Sequence, residues 1–114
     1  MFFVNSLRLA LKYSIDGLRA MFKERAFRQE ILLGFCLVAL ELFRTTPLHI
    51  RFYLFSSFAL ILTIECLNSA IETVIDRISL EAHHLSKRAK DIGSAAVLIA
   101  LLHFGIVWLW SWLC

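Results

Sequence analysis

The chain has 114 residues, the length of one domain, with 60 % hydrophobic residues, 18 % charged residues and a formal net charge of +3 at pH 7. Soluble domains are usually about 45–50 % apolar. Because the excess comes largely from Leu, Ile, Val and ten Phe in long stretches, the composition excludes an ordinary soluble domain and is typical of a membrane protein.

An amphipathic helix is predicted first, at about residues 4–23. Apolar side chains recur there at helical spacing, and basic side chains gather on an adjoining flank. The apolar positions are Leu7, Leu11, Ile15, Leu18 and Phe22, and the basic positions are Arg8, Lys12, Arg19 and Lys23. Such a helix lies on the membrane surface with its cations near lipid phosphates. The alternative is that its apolar face packs against the protein's own spans.

Three transmembrane helices are predicted next, at about residues 26–44, 47–70 and 92–112. The third is the clearest, because no Asp, Glu, Lys or Arg occurs from Ile92 to Cys114, and a helix of this length crosses about 30 Å of hydrocarbon. The second begins at Pro47, the only proline. The first has the shortest uninterrupted apolar core, and taken alone it is also compatible with a buried helix.

The positions of the cations predict the orientation of these helices. Most of the Lys and Arg residues lie at or before the start of the first span or between the second and third spans, whereas Arg44 and Arg51 flank the remaining loop. Since cations remain on the cytoplasmic side, the N-terminus and the second loop are predicted to be cytoplasmic. Glu41, near the outer end of the first span, is expected to reach water.

Three acidic residues lie on one face of the helix that forms the second span and continues past its cytoplasmic end. At about 100° per residue, Glu72 and Asp76 each fall within about 20° of Glu65, and Asn68 falls about 60° away. Ser69 extends the edge of this face. An acidic group in hydrocarbon costs several kcal/mol unless it is paired, protonated or hydrated, so the face is predicted to be functional. The alternatives are a proton path or polar contacts between helices.

The depth and the neighbours of the acidic face favour phosphoryl transfer. Glu65 lies about 27 Å along a straight helix from Pro47, near the cytoplasmic end of the hydrocarbon layer. A carboxylate at this boundary is placed to take a proton from an alcohol. Clustered carboxylates suit Mg²⁺ shared with nucleotide phosphates, for which Lys87, Arg88 and Lys90 offer positive charge. The sequence has neither a G-x-x-x-x-G-K-[ST] loop nor the protein-kinase motifs.

The cysteines and the paired histidines predict no zinc or redox site. Cys36, Cys66 and Cys114 are isolated, without C-x-x-C or histidine spacing, and no disulfide is predicted. His83 and His84 are adjacent, and in a helix their side chains would point about 100° apart. They are therefore not expected to share a metal ion.

Four stretches together resemble the prokaryotic diacylglycerol kinase family of the Gram-negative type. They are YSIDGLRA (13–20), AFRQE (26–30), ECLNSAIETVIDRISLEAHHLSKRAKD (65–91) and GSAAVLIA (93–100), and the resemblance covers roughly residues 10–110. It implies an all-α integral-membrane kinase of one domain, with a surface helix and three spans, that forms homotrimers in the bacterial inner membrane. The implied reaction transfers the γ-phosphoryl group of ATP to diacylglycerol, giving phosphatidate.

The resemblance also implies roles for individual residues. Glu65 would be the general base, with Asn68 beside it, and Glu24 and Glu72 would hold Mg²⁺ on the nucleotide. The positions that match nucleotide-contacting residues are Tyr13, Glu24, Glu72, Asp76, Glu81, Ala82, His83, Lys90 and Asp91. The positions that match residues lining the lipid substrate are Arg19, Phe27, Arg28, Glu30, Glu65, Ser94 and Trp108.

The chain departs from the family pattern at a few positions. His84 and Lys87 replace an acidic residue and a glycine, which makes the loop more cationic, and the chain is one residue shorter between Phe22 and Glu24. The expected partners are MgATP, diacylglycerol, membrane lipid and further copies of the chain, and no nucleic acid is expected. Two other functions stay open from the residues: an undecaprenol kinase, and a non-enzymatic oligomer that conducts protons or ions.

Overall fold

The structure is a computed structural model that describes residues 1–113. It contains four helices, α1 (Phe2–Met21), α2 (Arg25–Phe43), α3 (Leu48–Ile78) and α4 (His84–Leu113). The all-α prediction is confirmed for these residues. Helix α3 continues about two turns past the predicted end of its span, and α4 begins about two turns before the predicted start of its own. Cys114 and its predicted free thiol lie outside the described residues.

A short turn between α1 and α2 sets the position of Glu24. Phe22 packs edge to face on Phe27, with 5.3 Å between the ring centroids, and Phe27 is buried. Arg28 Nη1 donates to the Phe22 carbonyl oxygen at 3.2 Å, which supplies a partner to the end of α1. Glu24 is therefore the residue that immediately precedes α2, with an extended backbone.

The most extensive packing between helices is that of α3 against α4. At the end far from the acidic face, Ile50, Leu54 and Val107 form a buried apolar cluster against which Trp108 packs. Helix α2 approaches α3 closely at Gly34, where an added Cβ would lie 2.6 Å from the Phe58 ring. A glycine at this position lets the two helices come together, as small residues do between membrane helices.

The structure corrects the expectation that the Glu41 side chain reaches water. It is 3 % exposed, and its Oε1 accepts a hydrogen bond from Arg44 Nη1 at 2.6 Å. Arg51 Nε faces Glu41 Oε2 at 3.6 Å, beyond hydrogen-bond range, and neither atom has a hydrogen-bond partner. Arg44 also donates to the Ser111 carbonyl oxygen at 3.1 Å and lies over the Trp112 ring. We call Glu41, Arg44 and Arg51 the outer ion cluster.

Much of the apolar surface of these helices faces outward. Among residues 1–113, α3 and α4 are long and apolar enough to cross a membrane, and only 22 % and 17 % of their most apolar segments are buried. A core helix of a soluble protein would be mostly buried. In α1 only Met21 is buried, so nearly the whole amphipathic helix is free of contacts within one chain.

Candidate active site at the junction of α3 and α4

The acidic face of α3 is present as predicted from the helical spacing. Glu65, Asn68 and Glu72 are partly buried, and Asp76 is exposed where the helix approaches its end. Asn68 Nδ2 donates to Glu72 Oε1 at 3.3 Å, so the amide and the carboxylate form a pair along the helix. The face therefore changes from partly buried to exposed over three turns of one helix.

A hydrogen bond joins Glu24 to this face. Ser69 Oγ donates to Glu24 Oε2 at 2.9 Å, which brings the residue before α2 against α3. Ser69 lies less than one turn from Glu72. The two carboxylates predicted to hold Mg²⁺ thus belong to one neighbourhood, although 48 residues separate them in the sequence.

These two carboxylates fit a magnesium ion that is shared with a nucleotide. Mg²⁺ takes oxygen ligands and is commonly held by one or two carboxylates together with substrate phosphates and water. The hydrogen bonds described above use one oxygen each of Glu24 and Glu72, and the other oxygen remains available. Within residues 1–113 no group of three or more His, Cys, Asp or Glu side chains could hold a metal ion. The Glu24 and Glu72 carboxylates alone therefore suit a metal ion that takes its remaining ligands from nucleotide phosphates and water.

Glu30 lies beside the predicted base. Its carboxyl group lies close to the Glu65 carboxyl group, and its Oε2 atom is buried without a hydrogen-bond partner. The start of α2 and the residue before it therefore supply two acidic residues to the α3 face, Glu24 near Ser69 and Glu30 near Glu65. The resemblance assigned Glu30 to the lipid side of the site, and the structure places it at the end of the face nearest the apolar part of α3.

An open cleft of about 540 Å³ lies between the end of α3, the following loop and the start of α4. Ligand pockets commonly have volumes of about 300–1,000 Å³. Five of the residues predicted to contact the nucleotide line the cleft, namely Asp76, Glu81, Ala82, His83 and Lys90. Lys90 Nζ donates to Asp76 Oδ1 at 3.0 Å, and this ion pair closes α4 onto α3 at the base of the cleft.

The paired histidines do not diverge, which corrects the helical expectation. The rings of His83 and His84 stack with 4.6 Å between their centroids and 22° between their planes. His83 immediately precedes α4, and its Nδ1 accepts a hydrogen bond from the Leu85 backbone N–H at 3.1 Å. Because His83 is not a helical residue, the 100° rotation between neighbours does not apply to this pair.

Lys87 is a cation of the cleft, as its expected role beside nucleotide phosphates requires, although the resemblance matched it to no nucleotide-contacting position. Its Nζ donates to Asp91 Oδ2 at 2.6 Å, and this hydrogen bond, together with the charge of the carboxylate, raises the pKa of Lys87. Lys87 and His84 both line the cleft. His84 was not assigned from the sequence, and its departure from the family pattern was the signal that could have found it.

Most of the other predicted residues lie away from the acidic face within one chain. Tyr13 and Arg19 are exposed on α1, and Arg19 pairs loosely with Asp16 at 4.0 Å. Trp108 is about four turns along α4 from Ser94, which is exposed next to the acidic face. Phe27 is in the interior and Arg28 contacts the end of α1. One chain therefore brings together the predicted base, metal and cleft residues but not the surface-helix residues.

Comparison with known proteins identifies the family. A family model described as prokaryotic diacylglycerol kinase matches residues 12–112. A diacylglycerol kinase of Haemophilus influenzae is 52 % identical over 98 residues, which cover 85 % of this chain and 83 % of that protein. The Escherichia coli K12 diacylglycerol kinase is 48 % identical over 106 residues, covering 90 % and 87 %. That of Pseudomonas aeruginosa is 43 % identical over 100 residues, covering 87 % and 81 %. This chain belongs to the prokaryotic diacylglycerol kinase family.

Proposed function

We propose that the acidic face of α3 and the cleft beside it carry the lipid kinase reaction of this chain. By its family the chain is a diacylglycerol kinase, an ATP-dependent lipid kinase, and a membrane protein with apolar helical spans. One observation supports the site above all others: side chains from α3, from α4 and from the turn before α2 meet along one face. They are Glu65 and Glu72 of α3, Lys90 of α4, and Glu24. This face leads from an apolar helix to an open polar cleft.

Glu65 is the proposed general base. In phosphoryl transfer to an alcohol, the hydroxyl proton passes to the base while the alcohol oxygen bonds to the γ-phosphorus. The bond from this phosphorus to the oxygen that bridges it to the β-phosphate breaks, and ADP leaves. Glu65 lies at the apolar end of the face, where the hydroxyl group of a membrane diacylglycerol can approach it. Asn68, one turn further along, orients the neighbouring Glu72 by a hydrogen bond.

Glu24 and Glu72 are the proposed ligands of Mg²⁺. The bound ion would offset the negative charge of the phosphate oxygens. The Ser69 hydroxyl holds the Glu24 carboxylate against α3, and the Asn68 amide holds that of Glu72. Both carboxylates are thus oriented by neutral donors, which leaves their negative charge available to the ion.

The cleft is the proposed site of the nucleotide. Lys90 lies at its base, paired with Asp76, and the stacked rings of His83 and His84 form part of its wall. A lysine ammonium group binds phosphate through charge-assisted hydrogen bonds. The triphosphate would extend from the cleft toward Glu72, so that its terminal phosphate reaches the neighbourhood of Glu65.

Helix α2 is proposed as a third span, with the N-terminus in the cytoplasm. Its 19 residues correspond to about 28 Å of helix, close to the thickness of the hydrocarbon layer. Of these residues, Phe27, Gly34, Leu37 and Glu41 are buried, and large apolar side chains such as Leu32 and Phe35 are exposed. The outer ion cluster is compatible with this orientation, because Arg44 and Arg51, the two cations that flank the first loop, both lie near the buried Glu41 carboxylate.

The active unit is proposed to be a homotrimer. One chain leaves its acidic face open on α3, and a charged face in the membrane region needs protein or water around it. The resemblance places Tyr13 and Arg19 at the site, yet both are exposed on an α1 helix that packs little against its own chain. A neighbouring subunit can supply these side chains, as expected for a ring of subunits with one repeated interface.

Phosphorylation assays with variants of the cleft test this proposal. The full-length protein in lipid vesicles, supplied with labelled ATP and Mg²⁺, is expected to phosphorylate diacylglycerol in preference to undecaprenol. Lys90→Met removes the charge at the base of the cleft, so the KM for MgATP is expected to rise about tenfold or more. Labelled phosphatidate formed over a range of ATP concentrations gives both results.

Arg77→Met is the matched control for the cleft. Arg77 is an exposed cation next to Asp76 in the sequence, but it does not line the cleft. Its loss is expected to leave the KM for MgATP within about twofold of wild type. If both substitutions raise the KM for MgATP equally, the cleft is not the nucleotide site. If undecaprenol is phosphorylated faster than diacylglycerol, undecaprenol is the preferred substrate.

A further inference from the structure

Gly93 on α4 lies directly against the Asn68 side chain of α3. Gly93 is buried, and a Cβ at this position would overlap Asn68 Oδ1 and lie 3.2 Å from Asn68 Cγ. We propose that Gly93 is a positioning residue whose bare Cα provides the space that holds the Asn68 amide in contact with Glu72. This inference rests on the function proposed above for Asn68 and Glu72, and it assigns a role to a residue on a different helix.

The Asn68 amide has one orientation that suits its neighbours. Its Nδ2 donates to Glu72 Oε1 at 3.3 Å, and its Oδ1 is buried without a hydrogen-bond partner. A flipped amide would set the Asn68 oxygen against the Glu72 carboxylate, where neither atom can donate a hydrogen bond. Oδ1 must therefore face α4, and it occupies the volume in which any other residue at position 93 would carry its Cβ.

An alanine at position 93 is expected to displace the amide and leave the helices in place. The three atoms nearest to its methyl group would all belong to the Asn68 side chain, which can rotate. Rotation of the amide plane alone would move Oδ1 but would leave Cγ at 3.2 Å, closer than an ordinary carbon–carbon contact of about 3.5–4.0 Å. The χ1 angle must change as well, and the hydrogen bond to Glu72 is then lost.

Two other glycines of the same chain provide matched controls. A Cβ at Gly105, also on α4, would meet nothing within 4 Å. A Cβ at Gly34 on α2 would lie 2.6 Å from the Phe58 ring, so Gly34→Ala disturbs helix packing without touching the acidic face. The first control measures the effect of alanine in the helix itself, and the second measures the effect of a general packing defect.

Side-chain amide NMR reports the position of Asn68 directly. The chain contains two asparagines, Asn5 and Asn68, so protein labelled with ¹⁵N-asparagine in detergent micelles gives two side-chain amide signals, and an Asn5→Ser variant assigns them. We expect Gly93→Ala to shift the Asn68 signal toward the position of an exposed amide, with Gly105→Ala and Gly34→Ala leaving it in place. An unchanged signal, or an equal shift in all three variants, would overturn the proposal.

Kinetics provide an independent measurement. Loss of a hydrogen bond to a charged group corresponds to about a ten- to hundredfold loss of rate, so we expect kcat/KM for MgATP to fall by that factor in Gly93→Ala. In an Asn68→Ala background the same change at position 93 should have less than about a twofold effect, because the side chain that it displaces is absent. Equal losses in the two backgrounds would contradict a role that acts through Asn68.

The two measurements separate the failure of this inference from the failure of the proposed function. If Asn68→Ala alone has full activity, the function proposed for Asn68 is wrong, while the NMR shift still decides whether Gly93 positions the amide. If Asn68→Ala is impaired and Gly93→Ala is neutral in both measurements, the site survives and the role of Gly93 is overturned. A Gly93→Ala protein with an unfolding temperature as low as that of Gly34→Ala, and without the NMR shift, would be a packing defect only.

Discussion

The Glu65 carboxylate lies where the apolar and polar parts of α3 meet. On one side the helix carries apolar residues that suit the interior of a membrane, and on the other it carries Asn68, Glu72 and Asp76. Glu30 from α2 lies beside it, so the group is placed by two helices. A base for a lipid hydroxyl has to be reached from the bilayer while its proton can still leave toward water, and this position meets both requirements.

Glu65→Gln is expected to abolish most turnover and to leave nucleotide binding largely intact. The amide has nearly the same shape as the carboxyl group but cannot accept the hydroxyl proton, and loss of a general base commonly lowers kcat by about 10²–10⁴. Initial rates of phosphatidate formation give kcat, and equilibrium dialysis with a non-hydrolysable ATP analogue gives the affinity. Arg77→Met, which lies outside the cleft, is the control. Turnover close to wild type in Glu65→Gln would remove the base assignment.

At the level of single residues, the sequence predicted those parts of the site that one helix contains. The spacing of Glu65, Glu72 and Asp76 follows from the 3.6-residue period, and the structure confirms that they share a face. Contacts between distant segments have no such period. Two such contacts are the hydrogen bond from Ser69 to Glu24 and the close approach of the Asn68 side chain to Gly93. Both depend on how α2 and α4 approach α3, which residue spacing does not encode.

At the level of helices, the ends are where the expectations failed. His83 and His84 were treated as helical neighbours, but α4 begins at His84, and His83 accepts a hydrogen bond from its first turn. Glu41 was treated as a residue that reaches water, but two arginines from the following segment enclose it. In both places the contact is made by residues at or near a helix end, and helical periodicity describes only the interior of a helix.

The outer ion cluster is expected to stabilise the contact of α2 with α3 and α4. Glu41→Leu leaves Arg44, whose side chain is 14 % exposed, without its carboxylate, and breaking a buried pair in this way costs roughly 3 kcal/mol. Unfolding in detergent micelles, followed by circular dichroism, measures the change. The double variant Glu41→Leu, Arg44→Leu removes both charges of the buried pair and leaves the more exposed Arg51, so we expect it to regain most of the lost stability.

The exposed pair on α1 is the control for the outer ion cluster. Asp16→Asn breaks the 4.0 Å contact with Arg19, in which both side chains are more than half exposed, so we expect less than about 0.5 kcal/mol of change. If Glu41→Leu and Asp16→Asn lower the free energy of unfolding equally, burial does not make the outer ion cluster more stabilising than an exposed pair. A double variant less stable than Glu41→Leu alone would show that Arg44 is satisfied without the carboxylate.

At the level of the whole molecule, composition and charge predicted the class of protein but not its assembly. The apolar excess and the uncharged stretch in α4 indicated a membrane protein, and the family confirms it. The arrangement of subunits depends on which exposed surfaces of α1, α2 and α4 meet another copy and which meet lipid. Both partners are apolar, so hydrophobicity does not distinguish a protein contact from a lipid contact.

Mixed assemblies test whether α1 of one subunit completes the site of another. Subunits with Glu65→Gln are mixed with subunits that carry Tyr13→Ala and Arg19→Ala, each expected to be nearly inactive alone. If each site takes α3 from one subunit and α1 from its neighbour in a ring, random mixing at equal amounts restores about a quarter of the sites. Sites built within single chains would regain nothing. Mixing Glu65→Gln with Asn68→Ala is the control, because both changes lie on α3 and no shared site can then be complete.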